Sequence, residues 1–152
     1  MIPVAWVTEF SATISATYQF LEELRFRGWD SKDLVRVEIA EDVQCPTWCS
    51  GQISISPRHD ARSVSHEIAH GFHEKMRERG WKDCFGEDTA EAIRWFVEQR
   101  MGASAWCASF RARPTKDDRI LELCGYDEMT FKELLITGTL FFRLNWPTHS
   151  NG

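Results

Sequence analysis

A small α+β domain, with a short sheet early in the chain and helices after it, is the fold class this sequence predicts, and three observations predict it. The 152 residues are 43% hydrophobic and 27% charged, enough to build one core and too few for two domains. Residues 1–152 are therefore expected to form a single unit. Two short stretches before residue 60 alternate apolar and polar side chains, the period of a half-buried strand. After residue 60 the apolar residues recur every three or four positions, the period of a helix.

Each element has its own signal. Apolar residues at Phe10, Ile14, Leu21 and Leu24, ending before Gly28, predict a first helix. Val35, Val37 and Ile39 alternate with polar neighbours as in a strand, and Ile53 and Ile55 do the same after the turn-like "CPTWCSG". The helical pattern then runs over residues 61–79, with Asp60 placed to cap its start and Gly80 to end it. Further helices are expected at 88–101, 103–111, 116–124 and 131–144, the last opened by the capping box Thr130-Phe131-Lys132-Glu133. Strands early and helices late make an α+β order.

Charge and composition narrow the function. A net charge of −5 and the absence of any basic run argue against nucleic acid or an anionic membrane as partner. The first twenty residues carry no basic residue ahead of an apolar core and are broken by Thr8 and Glu9, so they do not read as a signal peptide. No stretch approaches the ~18 uninterrupted apolar residues of a membrane span. A soluble, cytoplasmic protein is the expectation. The five cysteines, Cys45, Cys49, Cys84, Cys107 and Cys124, are odd in number and suit reduced, packing thiols better than a disulfide framework.

The segment "SVSHEIAHG", residues 63–71, carries the chemistry. Projected at about 100° per residue, Val64, Ile68, Phe72 and Met76 fall on one side of the helix, and His66, His70 and His73 fall on the other. That polar face is either bare to water or turned toward a cleft. Histidines at i and i+4 can offer two imidazole nitrogens to one Zn²⁺, and a glutamate directly after the first can take the proton of a water the metal activates. A catalytic zinc needs a third protein ligand. The next helix offers one: in "EDTAEAIRWFVE", Glu87, Glu91, Arg94 and Glu98 share a polar stripe, while Ala90, Ile93, Phe96 and Val97 lie largely opposite. A plainer reading makes Asp88-x-x-Glu91 a helix capping box and Glu87 an acid favoured near a helix N-terminus.

His66-Glu67-Ile68-Ala69-His70, followed by Glu87-Asp88-Thr89-Ala90-Glu91, resembles the gluzincin metallopeptidases, zincins whose third ligand is a glutamate in a Glu-x-x-Ala-Glu/Asp pattern on a second helix. The resemblance covers residues 52–100. It implies a zincin-like fold with one Zn²⁺ per chain. His66, His70 and Glu87 would be the metal ligands, Glu67 the general base, and Glu91 the group that orients a histidine from behind. The spacing to Glu87 is slightly shorter than in the larger enzymes, which keeps Glu91 as a rival third ligand. In zincins the strand before the active-site helix commonly runs along the cleft edge, so Gln52, Ile53 and Ser54 become the expected substrate-binding strand for an extended peptide. The length points to the minimal, single-domain forms.

The expected reaction is hydrolysis of a peptide bond in a peptide or protein substrate, with Glu67 accepting the proton of the attacking water and passing it to the leaving amine. Tyr126, His149 and His59 are candidates by residue type for stabilising the oxyanion, with nothing to fix them near the site. His73 completes His-x-x-x-His-x-x-His, but three ligands along one straight helix would strain a tetrahedron. Cys45, Cys49 and Cys84 could seed a structural zinc only with a second close pair that the sequence lacks. Two alternatives stand beside the peptidase: a latent or non-catalytic zinc-binding protein, and a helical interaction module without metal.

Overall fold

The structure, a computed structural model, describes residues 2–24, 36–78, 86–102 and 118–137. Among these residues the fold is α+β and mostly helical. Helix α1 (Val4–Glu23) is followed by strands β1 (Arg36–Ile39), β2 (Thr47–Cys49) and β3 (Gln52–Ile55). A single 3₁₀ turn, Ala61–Ser63, leads into α2 (Val64–Glu78), and α3 (Glu87–Met101), α4 (Asp118–Cys124) and α5 (Glu128–Thr137) complete the order. None of these helices is long and apolar enough to cross a membrane. Val35, Arg79, Gly80 and the helix expected at 103–111 lie outside the described residues.

The strands form one mixed sheet in the order β1-β3-β2, with β1 parallel and β2 antiparallel to β3. β2 was not expected, since residues 45–51 read as a turn. Only Ser50 and Gly51 turn: their φ values of 46° and 85° suit the two central positions of a type I′ hairpin, whose twist matches that of the strands it joins. Cys49 and Gln52 pair across the turn. The hairpin places β3 in the middle of the sheet, which corrects the expectation that Gln52, Ile53 and Ser54 line an open edge. Both flanks of that strand are occupied, Val37 and Trp48 sit opposite Ile53, and Ile53 is fully buried. The edge nearest α2 belongs to β2.

The core gathers one face of every long element. Val64, Ile68, Phe72 and Met76 of α2 are all fully buried, as the projection requires, and so are Ile53 and Ile55 of β3. Phe96 of α3 stacks on Phe131 of α5 at 4.6 Å between ring centroids, and Phe20 of α1 lies 6.4–6.5 Å from both. At the rim of this aromatic cluster, Arg100 of α3 and Lys132 of α5 both bond Glu23 at the end of α1, and Arg100 also bonds Glu128 at 2.6 Å. Opposite-charge bonds thus tie three helix ends together.

Two helix starts show how caps set boundaries. The Asp60 side chain accepts the Arg62 backbone N–H at 2.9 Å, so the predicted cap is present, though it opens the 3₁₀ turn before α2. At α5 the expected capping box is displaced. Asp127 accepts the Thr130 backbone N–H at 2.7 Å and the Thr130 hydroxyl at 3.0 Å, so Thr130 lies inside the first turn and the helix begins earlier than 131. The acid three residues ahead outcompetes the hydroxyl as cap. Cys45, just ahead of the hairpin, and Cys49, on it, are exposed, contrary to the packing role expected of them, while Cys124 is half-buried.

Candidate metal centre

Helix α2 buries its apolar stripe and thereby turns His66 and His70 toward α3 and β2; their side chains are only 13% and 18% exposed. The polar face is therefore the wall of a cleft. An open pocket of about 360 Å³ lies there, lined by Pro46, Thr47 and Trp48 of the β2 edge, Glu67 and His70 of α2, and Glu87 at the head of α3.

Within it three donors converge. His66 Nε2 lies 3.1 Å from His70 Nε2 and 2.6 Å from a Glu87 carboxylate oxygen, whose other oxygen is 3.0 Å from His70 Nε2. Donors bound to one tetrahedral zinc at 2.0–2.1 Å stand about 3.3 Å from each other, so small outward shifts would seat the ion. The imidazole rings meet edge to face, with centroids 4.8 Å apart. Behind this group the Glu91 carboxylate lies 2.7 Å from His66 Nδ1. A proton held there leaves Nε2 with its lone pair toward the cleft, the tautomer a metal ligand needs.

Glu67 competes with Glu87 for the third position. One ligand atom each from His66, Glu67 and His70 falls within a 4.8 Å group that could hold a metal ion. The nearest approach of Glu67 to His66 Nε2 is 4.0 Å, against 2.6 Å for Glu87. The closer contact favours Glu87, because one carboxylate then reaches both imidazoles and Glu67 is left beside them. His73 does not belong to the group.

The electrostatics suit a cation. Arg94 pairs with Asp60 and Glu98 at 2.8 Å each and stands 3.9 Å from Glu91, while Glu67 and Glu87 stand beside the histidines. The carboxylates nearest the histidines, Glu67, Glu87 and Glu91, would offset the charge of a dication held there. Burial pushes the Glu67 carboxyl up to about 7, with the neighbouring His66 pulling it down and the charges of Glu87 and Glu91 adding to the rise. A group poised near neutrality can both accept and return a proton. For His66, burial alone would lower the pKa, but the hydrogen bond to Glu91 and the charges of Glu91, Glu67 and Glu87 together raise it above 6.5. His70 moves the other way, lowered by burial and by the charge of His66.

The remaining candidates fall elsewhere. His59 holds a loop: its Nδ1 accepts the Ser56 backbone N–H at 3.0 Å, and Nε2 therefore donates to the Gln44 carbonyl at 3.1 Å. Tyr126 packs against the core, and His149 and Cys84 lie outside the described residues. Sequence reasoning missed Pro46, Thr47 and Trp48 as cleft residues. The signal for them was the turn dipeptide Ser50-Gly51, which implies a partner strand just ahead of β3. Glu98, expected on the polar stripe of α3, is fully buried there against Arg94. Comparison of the chain with protein-family models, with curated proteins and with solved structures finds no match.

Proposed function

We propose that this protein is a small zinc-dependent metallopeptidase of gluzincin type and zincin-like fold, carrying one Zn²⁺ per chain. The observation that carries the reading is the convergence of His66 Nε2, His70 Nε2 and the Glu87 carboxylate at 2.6–3.1 Å in an open cleft. The donor set fits zinc: two imidazoles and one carboxylate leave a fourth tetrahedral position for water or substrate. When bound, zinc supplies a Lewis acid that brings the pKa of a water toward ~7.

The chain's own residues supply the rest. Glu91 holds His66 by its Nδ1–H and so keeps Nε2 directed into the cleft. Glu67, 8% exposed and beside the two histidines, takes a proton from the attacking water and delivers it to the departing amine. Substrate recognition moves from β3 to β2, whose Thr47 and Trp48 line the pocket and whose outer edge is unpaired among the described residues. An extended peptide fits that edge by main-chain pairing.

A matched pair tests the reading. Zinc content and cleavage of a mixed peptide library are measured for wild type and Glu67→Gln. The amide keeps the shape of the side chain and leaves the ligands untouched, so zinc should stay and hydrolysis should fall by several orders of magnitude, because the amide cannot take the proton. Equal cleavage by both proteins refutes the role of Glu67. Stoichiometric zinc without cleavage by either makes the protein a latent or non-catalytic zinc binder, and no zinc in wild type leaves a metal-free helical module.

A further inference from the structure

We infer that Arg94 is a positioning residue for the metal centre: its guanidinium fixes Glu91, and through Glu91 it decides which nitrogen of His66 carries the proton. Two of its nitrogens are held from outside the site. Nε donates to Glu98 Oε1 and one terminal nitrogen donates to Asp60 Oδ2, both at 2.8 Å. Glu98 is fully buried on α3 itself, and Asp60 belongs to the segment that opens α2. A planar fork fixed at two corners has no freedom left at the third. That third corner, Nη1, faces Glu91 Oε1 at 3.9 Å, an ion-pair contact longer than a hydrogen bond. The other oxygen of the same carboxylate lies 2.7 Å from His66 Nδ1.

The arrangement matters because His66 stands between two carboxylates. Glu91 competes for its proton at Nδ1, and Glu87 competes at Nε2 from 2.6 Å. Glu87 is 77% exposed and Glu91 only 19%. An exposed acid can turn away to water, whereas a carboxylate that faces a fixed guanidinium is drawn to keep one oxygen toward it and the other aimed at Nδ1. Arg94 thus biases His66 toward the Nδ1–H form, with Nε2 free as a donor to metal. Lysine at this position would keep the charge, but one ammonium cannot reach Asp60, Glu98 and Glu91 as a rigid fork does.

The zinc part of the test rests on the metal centre proposed above; the tautomer part does not. Nitrogen-15 NMR of metal-free protein at alkaline pH, where imidazole is neutral, reads the His66 tautomer, and chelator competition reads zinc affinity. Wild type should show mainly the Nδ1–H form. Arg94→Lys should shift the population toward Nε2–H and weaken zinc by about tenfold. In the Glu91→Gln background Arg94→Lys should add little further loss, because the two residues act in series. Glu98→Gln alone keeps an acceptor for Nε and should leave the tautomer as in wild type. If Arg94→Lys does not fold, the double variant Arg94→Gln/Glu98→Gln replaces the buried charge pair by an amide pair, and it should show the same tautomer shift. A wild-type tautomer in the folded Arg94 variants, with lowered melting temperature only, would make Arg94 a strut between helices and overturn the inference. A wild type without zinc but with the expected tautomer shifts would sink the peptidase and leave the inference standing.

Discussion

Glu87 and Glu91 stand one turn apart on α3, yet they address opposite nitrogens of the same imidazole. Their removal should therefore have unequal effects. Glu87→Ala takes away a donor that reaches both histidines and should cost most of the zinc affinity, whereas Glu91→Ala takes away only the support behind His66 and should weaken it about 10–100-fold. Chelator competition ranks the two, and the reverse order would make Glu91 the ligand. His66→Ala and His70→Ala should each abolish stoichiometric zinc in the same assay. The placing of these four positions on facing polar stripes was legible in the sequence, because helical spacing puts i and i+4 on one face, and Glu67 follows His66 directly. Arg94 was legible as a polar-face residue but not as the neighbour of Asp60. That pairing spans 34 positions and exists only once α3 lies against the start of α2.

Among the elements, the β2–β3 hairpin departs furthest from the sequence expectation. The apolar alternation that reveals β3 is missing from β2, where Trp48 is the only large side chain turned inward, and three residues are too few for periodicity to register. Turn chemistry carried the information instead. Gly51 holds φ of 85°, and a Cβ built there meets nothing within 4 Å, so a substitution feels the backbone conformation alone. Gly51→Ala should lower stability by about 1–2 kcal/mol, read as a fall in the urea midpoint. Ser50→Asn should raise it, because Asn-Gly is the favoured pair for this turn. No change in either variant would argue against the hairpin. Helices α2 and α3, by contrast, fall within a few residues of their predicted bounds, since long amphipathic runs repeat their signal over several turns.

At the scale of the whole molecule, the charge network around Glu23 locks α1, α3 and α5 at the edge of the aromatic cluster. Hydrogen bonds from Arg100 and Lys132 hold the Glu23 carboxyl down at about 2, below its ordinary 4.5. A group whose pKa is depressed on folding adds stability above its unfolded value and loses it as pH falls through the folded one. For Glu23 the window runs from 4.5 down to about 2. Its side chain is 39% exposed, so solvent screens the pairs and the loss should be about 1 kcal/mol or less. Urea midpoints across that window should fall more steeply for wild type than for Glu23→Gln, and parallel curves would deny the network its role. The donors of the candidate centre have a different consequence. They sit on two helices, with His70 and Glu87 far apart along the chain, so an unfolded chain cannot present them together. Metal and folding would then be thermodynamically linked, with a gain of about 2.7 kcal/mol when free metal is at a hundred times Kd. A chelator should lower the melting temperature of wild type and leave that of His66→Ala unmoved. On these terms the supply of zinc would govern how long the chain resists unfolding and proteolysis.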